Sequence, residues 1–350
     1  MSLFIFFMSL SVLILIHEWG HYYVARRSGV AVEEFGIGFP PRLFARKKGE
    51  TVFSINLIPL GGFVRLRGEE DPSLPGSFMG KPVSIKIAVT IAGVAMNLVL
   101  AYFLIAGGYL IGLPDFDSHF SNVTVLQVLP DSPAARVGLQ LGDHLISITT
   151  PDGRIPLHDP RALRAITEQH VGQRVMLEIE RGNQHLMPTV TLQPSTAQRG
   201  PLGVAVSSLT LVREPFPRNF VAAGTRLWGL TGRTLEGFAG LVKTLLGERR
   251  LSNDVVGPLG IFNIFQQMKL LGLGYLLHFW ALVSLNLALI NLFPLPALDG
   301  GRILFNLIEA IARRPVPLQL EARIHQVGFV LLLALLLLVS VRDVRTFLVH

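Results

Sequence analysis

Apolar residues dominate the opening of the chain: positions 3–16 are almost unbroken hydrophobic, and a helix continued through them runs into His17-Glu18-Trp19-Gly20-His21. Three further runs of spanning length follow, at about 85–113, from about 275, and at about 324–342. Each is long enough to cross a hydrocarbon layer of about 30 Å as a helix. Between the first two runs the period changes from continuous to alternating. Phe53, Ile55 and Leu57 face one way in 51–58, and Pro59-Leu60-Gly61-Gly62-Phe63-Val64-Arg65-Leu66 follows, so a β-hairpin is predicted over about 33–66. Lipid-exposed strands would leave ladder groups unpaired. The hairpin therefore reads either as a re-entrant element held inside the protein at membrane depth or as an ordinary amphipathic hairpin on the surface.

Four regions result: an N-terminal membrane part (1–113), a polar α+β domain (114–213), an intermediate helical region (214–270) and a C-terminal membrane part (271–350). The fold class is a polytopic α-helical membrane protein with four transmembrane helices and an inserted domain. In the intermediate region Phe220, Leu227, Trp228, Thr231, Leu235, Phe238 and Val242 recur at helical spacing, with Arg218, Arg226, Arg233 and Lys243 among them. That pattern predicts an amphipathic helix lying on the outer membrane surface. Gly224, Gly229, Gly232, Gly237 and Gly240 keep two shorter helices open as the alternative.

Charge orients this scheme. Residues 26–86 carry ten Lys/Arg against six acids, and 114–214 carry eight against ten. By the positive-inside rule the first segment is cytoplasmic and the inserted domain lies on the other side of the membrane. His21 then lies toward the cytoplasmic side. The net charge of +7 is accounted for by loops flanking spans, which leaves no need for a nucleic-acid partner. With no cysteine in the chain, disulfides and thiolate metal sites are excluded, and a metal must be held by His and carboxylate. The first run lacks a basic segment ahead of it and carries ionisable residues where a cleavage site would fall, so it is expected to be retained.

His17 and His21 stand one helical turn apart on one face, where two imidazoles can take one zinc ion (Zn2+), and Glu18 stands beside the first as a proton acceptor that is not itself a ligand. Ionisable groups at the end of an apolar run are costly, which weights the pattern toward function. A third ligand is required. Asn291-Leu292-Phe293-Pro294-Leu295-Pro296-Ala297-Leu298-Asp299 breaks a later span at two prolines and ends in an acid, so Asp299 is the candidate. In the second span Gly93 and Asn97 lie one turn apart. Asn97 reads equally as a polar tie between helices and as a group at the active site.

Two resemblances sharpen this reading. The stretch from Val123 through Pro130-Asp131-Ser132-Pro133-Ala134-Ala135 to Gly142-Asp143-His144 resembles the PDZ family, and Gly200-Pro201-Leu202-Gly203 is similar to its carboxylate-binding loop. The order HExxH span, GxxxN span, PDZ-like insertion and NxxPxPxLDG segment is similar to that of the site-2 proteases, intramembrane zinc metalloproteases of the RseP-like branch. This second resemblance covers nearly the whole chain. It implies that His17, His21 and Asp299 hold zinc, that Glu18 is catalytic, and that Asn291 contacts substrate; Asn97, from its place in the second span, is a further candidate substrate contact. The resemblance also implies that transmembrane proteins are the substrates, anti-sigma factors and signal-peptide remnants among them, and that the hairpin lends them a strand edge. A bacterial inner (plasma) membrane, with the inserted domain periplasmic or extracytoplasmic, is implied as well. Arg302 and Phe39-Pro40-Pro41 depart from the family pattern at positions that are not ligands. The rival readings are a membrane scaffold with a PDZ-like domain and a metal transporter, neither of which needs Glu18.

Overall fold

The computed structural model describes residues 1–69, 71–115, 123–182, 184–196, 199–208, 210–248, 256–314 and 316–349. In chain order the elements are α1 (Ser2–Arg27), β1 (Val32–Lys48), β2 (Thr51–Leu66), α2 (Val83–Ile111), β3 (Leu113–Asp115), β4 (Val123–Val128), α3 (Pro133–Arg136), β5 (His144–Thr150), β6 (Gly153–Pro156), α4 (Pro160–Gln169) and β7 (Arg174–Arg181). There follow β8 (Gln184–Leu186), β9 (Thr189–Thr191), β10 (Val204–Ser207), β11 (Thr210–Val212), α5 (Arg218–Glu248), α6 (Pro258–Leu271), α7 (Leu273–Leu292), α8 (Asp299–Ala312) and α9 (Leu318–Val349). Four of these helices, α1, α2, α7 and the Leu318–Arg345 part of α9, are long and apolar enough to cross a membrane. The chain divides into two compact units, one of residues 1–106, 220–265 and 279–349, the other of 107–219 and 266–278.

In the first unit α1 ends where Gly29 takes a left-handed φ of 68°, with Arg26 and Arg27 in its last turn against the negative end of the helix dipole. Phe6 of α1 packs on Phe262, Phe265 and Trp280 at ring-centroid distances of 5.3–5.8 Å. At the other end of α1, Tyr22 and Ala25 share a buried cluster with Val32, Phe35, Leu66, Phe78 and Val89. That cluster joins α1 to the strands and to α2.

The strands do more than form a hairpin. Residues 34–37 of β1 each face two partners, one among 52–55 and one among 62–65, while 44–47 pair with the outer side of 52–55. The two long strands thus fold back into a sheet of four short segments. Among the described residues, segment 62–65 is paired on one side only. Its approach to α1 is fixed at the turn that precedes it: the Gly61 N–H donates to Ser11 Oγ at 3.0 Å, and the Ser11 hydroxyl lies 2.7 Å from the Pro59 carbonyl. Gly61 has φ 88°, and a Cβ there would stand 3.1 Å from the Ile14 side chain, so backbone conformation and close packing both call for glycine.

Helix α5 is single. The five glycines that left two helices open do not interrupt it, and it exposes Val221, Trp228, Leu235 and Val242. After α7 the chain cannot continue as helix because Pro294 and Pro296 supply no amide hydrogen. A new amphipathic helix, α8, begins at Asp299, whose carboxylate lies in the favourable first turn. The sequence reading treated this stretch as the end of a span and did not anticipate α8.

In the second unit a seven-stranded sheet has the order β10-β4-β5-β7-β8, with β6 added to β5 and β9 to β7. Alternating residues Val123, Val125, Leu145, Ile148, Val175, Leu177 and Ile179 build its core with Leu163 of α4. Ser132 and Asp159 cap α3 and α4 through the amides of Ala135 and Arg161. The fully buried Asp143 accepts two hydrogen bonds from the Arg181 guanidinium, at 2.7 and 2.8 Å, and one from the Gln140 amide at 2.8 Å, which satisfies a charge that burial would otherwise penalise.

Candidate metal centre and active site

The site residues that the sequence singles out lie in the first unit, on four helices: α1, α2, α7 and α8. His17 and His21 come from the second half of α1, at i and i+4. Asp299 comes from the first turn of α8, where the proline break has turned the chain. His17 Nε2 lies 2.9 Å from Asp299 Oδ2 and 3.1 Å from His21 Nε2, and His21 Nε2 lies 3.3 Å from the same carboxylate oxygen. Among the described residues this is the one cluster of three His, Cys, Asp or Glu side chains able to hold a metal ion, with ligand atoms within 4.8 Å of one another.

The donor set fits zinc. Tetrahedral ligands at zinc distances of about 2.0–2.1 Å are separated by roughly 3.3 Å, close to the observed spacing. The far nitrogens of both rings are also engaged. His21 Nδ1 lies 2.8 Å from the Val89 carbonyl, which can only accept, so Nδ1 carries the ring proton and Nε2 keeps its lone pair for a metal. His17 Nδ1 lies 3.3 Å from the Asn97 amide, whose Oδ1 is buried without a hydrogen-bond partner. The two ends of a carboxamide are interchangeable by a half-turn. With Oδ1 turned to His17, the orphaned oxygen accepts the Nδ1 proton, and this ring too presents its Nε2 lone pair.

Helix α2 contributes more than Asn97. A Cβ on Gly93 would stand 2.4 Å from His21 Nε2 and 2.7 Å from His17 Nε2, so a larger residue would occupy the space beside the ligand atoms. Val89, Gly93 and Asn97 follow at intervals of four and form one face of α2 behind the two histidines. The GxxxN pattern was legible, but its purpose was not: small residues in a span read first as helix packing, and a backbone carbonyl such as that of Val89 leaves no trace in a sequence.

A cavity of about 750 Å³ opens on this centre. His17, Glu18, His21 and Asp299 line it together with Asn291 at the end of α7 and Phe63, Val64 and Leu66 of the singly paired segment. Glu18 and Val64 of that strand thus share one wall of the cavity. Asn97 takes no part in the lining. It is 0% exposed, behind His17, so where a substrate contact was expected the structure offers a contact to the His17 ring. The wall also holds Glu69, Arg302, Glu321 and His325, with Arg302 3.3 Å from Glu69. Sequence reasoning found no role for these four, because their convergence depends on how α8 and α9 pack.

Helices of spanning length and a His-His-Asp centre with an adjacent glutamate define a polytopic membrane metallohydrolase. The sequence profile of peptidase family M50 matches residues 5–335, and a Clostridium perfringens relative is 38% identical over 340 residues, 96% of this chain and 96% of its own length. Zinc metalloprotease RasP of Geobacillus kaustophilus is 28% identical over 434 residues (99% and 98%), and the chloroplastic membrane metalloprotease ARASP of Arabidopsis thaliana is 31% identical over 352 (95% and 76%). Among solved structures, the PDZ domain of an SdrC-like protein from Listeria monocytogenes matches 26% of this chain and 92% of its own at 20% identity and a TM-score of 0.22. The chain belongs to peptidase family M50. It is a membrane-embedded zinc metalloprotease of the site-2 type, acting on membrane proteins.

Proposed function

We propose that His17, His21 and Asp299 are the protein ligands of the zinc and that Glu18 is the catalytic proton carrier. The observation that carries this is the meeting of three ligand atoms within 4.8 Å in a cavity that Glu18 also lines. Zinc bound there supplies Lewis-acid polarisation of a peptide carbonyl and acidification of water. Glu18 takes the proton of the attacking water as its oxygen bonds to the carbonyl carbon. When the C–N bond breaks, Glu18 returns that proton to the leaving nitrogen. Asn291, on the cavity wall, is placed to hydrogen-bond the substrate backbone.

A helical substrate has its carbonyls engaged, so the segment to be cut must be unwound. The free side of residues 62–65 offers it a strand to pair with, beside Glu18. This reading makes the folded-back hairpin a re-entrant element at membrane depth, in keeping with its apolar exposed positions Leu57, Ile58 and Leu60. The charge distribution supports an orientation in a bacterial inner membrane with the metal centre toward the cytoplasm. The inserted unit is then a periplasmic or extracytoplasmic PDZ-like module, and α5 lies on the outer surface. Anti-sigma factors and signal-peptide remnants are the substrates that the site-2 resemblance suggests.

Two measurements test this. Glu18→Gln is expected to keep one zinc per chain while cleavage of a membrane-spanning reporter falls by 10²-fold or more, and Asp299→Ala to lose the metal. Full zinc occupancy in Asp299→Ala would remove Asp299 from the ligand set. For topology, a single cysteine at Ser195 in this cysteine-free chain should be labelled from outside only. Labelling from the cytoplasm alone would reverse the assignment.

A further inference from the structure

His325, on α9, joins two features that the mechanism above does not use. Its Nδ1 accepts a hydrogen bond from the Ala297 N–H at 2.8 Å. Ala297 has a φ of 73°, which a residue with a Cβ rarely adopts, and it lies two positions before Asp299. One turn along α9, Gly328 packs so closely on this loop that a Cβ there would stand 2.3 Å from the Pro296 side chain. The last helix therefore grips the strained segment that delivers Asp299. Because Nδ1 accepts, the ring proton is on Nε2. That nitrogen is buried and has no hydrogen-bond partner among the described residues; the carboxylate of Glu321 is 4.0 Å away, beyond hydrogen-bond reach. The ring lines the same cavity as Glu18 and Asn291.

An unpartnered buried donor on a ring that lines the substrate cavity costs stability unless a movement of the wall lets the substrate complete it. We propose that His325 has two roles: through Nδ1 it is a positioning residue that holds Ala297, and with it Asp299, and through Nε2–H it donates to a backbone carbonyl of the unwound substrate. The first role rests on the reading of Asp299 as a zinc ligand. The second requires only that the cavity receives the substrate.

The two nitrogens can be separated by substitution in the full-length protein in lipid vesicles. His325→Asn keeps an acceptor close to the position of Nδ1 and removes the cavity donor. His325→Gln keeps a donor near Nε2 and loses the acceptor, and His325→Phe loses both. Zinc release to a chelator is expected to speed up about tenfold or more in the Gln and Phe forms and to stay unchanged in the Asn form. With zinc saturating, cleavage of a single-span reporter whose span carries a Gly-Pro break is expected to fall about tenfold or more in the Asn and Phe forms and to be largely restored in the Gln form. Wild-type cleavage by His325→Asn would overturn the substrate contact, as would the same loss in Glu321→Gln, since the donor would then be serving Glu321. Unchanged zinc release in all three would overturn the clamp. An Asp299→Ala control that retained zinc would instead remove the ligand assignment beneath it.

Discussion

The amide of Asn97 stands 3.3 Å from Nδ1 of His17 and is wholly enclosed between helices, with the Asn97 backbone carbonyl accepting a 2.9 Å hydrogen bond from Ser284 of α7. An asparagine so placed sets the orientation and proton of the ring proposed to bind the metal. Asn97→Ala is expected to weaken zinc binding about 10- to 100-fold, measured by competition against a fluorescent chelator. Asn97→Asp, which still accepts from Nδ1, should recover most of it. Equal affinity in Asn97→Ala and wild type would reduce Asn97 to a helix tie.

Gly93 makes the sharper steric test. Its missing Cβ would fall within 2.7 Å of both ligand nitrogens, so Gly93→Ala should lower bound zinc and abolish cleavage even though alanine favours helix by about 1 kcal/mol over glycine. Metal analysis of purified, correctly inserted protein decides it. A fully loaded, active Gly93→Ala variant would mean that α2 can recede from the histidines.

Lys86 of α2, 3% exposed at its side chain, pairs with Glu309 of α8 at 2.7 Å. Removing the lysine charge strands a partly buried carboxylate. Lys86→Met should cost about 2–3 kcal/mol, somewhat below the value for a fully buried pair because the Glu309 side chain is 25% exposed. The double variant with Glu309→Gln should regain much of the loss. Thermal unfolding in one detergent measures both, and an unchanged midpoint in Lys86→Met would show that the pair contributes nothing.

In the inserted unit, the Ile166 carbonyl and then the Asp152 carboxylate raise the His170 imidazole above its usual range. A raised folded value means that the protonated form is bound more tightly in the folded state. The contribution is complete below about pH 6.5, the unfolded value, and is lost as the pH rises through the folded one. Hydrogen exchange around α4 should therefore quicken as the pH rises above about 6.5 beyond its intrinsic pH dependence, and His170→Gln should flatten that change. An identical profile in His170→Gln would exclude the histidine as its source.

Much of this site was legible because its chemistry is periodic. Two histidines at i and i+4 need only a helix to meet, and continuous apolar length announces a span whatever packs around it. Asp299 was legible for a different reason, as an acid stranded beyond two prolines. What stayed hidden depends on tertiary approach. Alternation predicts strands over 33–66, but it carries no record of which segment pairs with which, so the doubled partners of residues 34–37 could not be read. His325 lies in an apolar run that scores only as a span, and its hydrogen bond to Ala297 exists because α9 returns to the loop ahead of α8.

Ser11 carries a consequence for the spacing of the motif itself. Its hydroxyl anchors the turn at Pro59 and Gly61, six residues before His17 on the same helix. At about 1.5 Å per residue the anchor and the first histidine are separated by roughly 9 Å along the axis. The interval acts as a ruler that decides which backbone amide arrives opposite Glu18. One residue inserted between Ser11 and His17 would lengthen it by about 1.5 Å and rotate the anchor by about 100° relative to the histidines. Both ends would survive intact, yet strand and metal would no longer address the same peptide bond. The distance from serine to histidine thus constrains the site as strictly as the residues themselves.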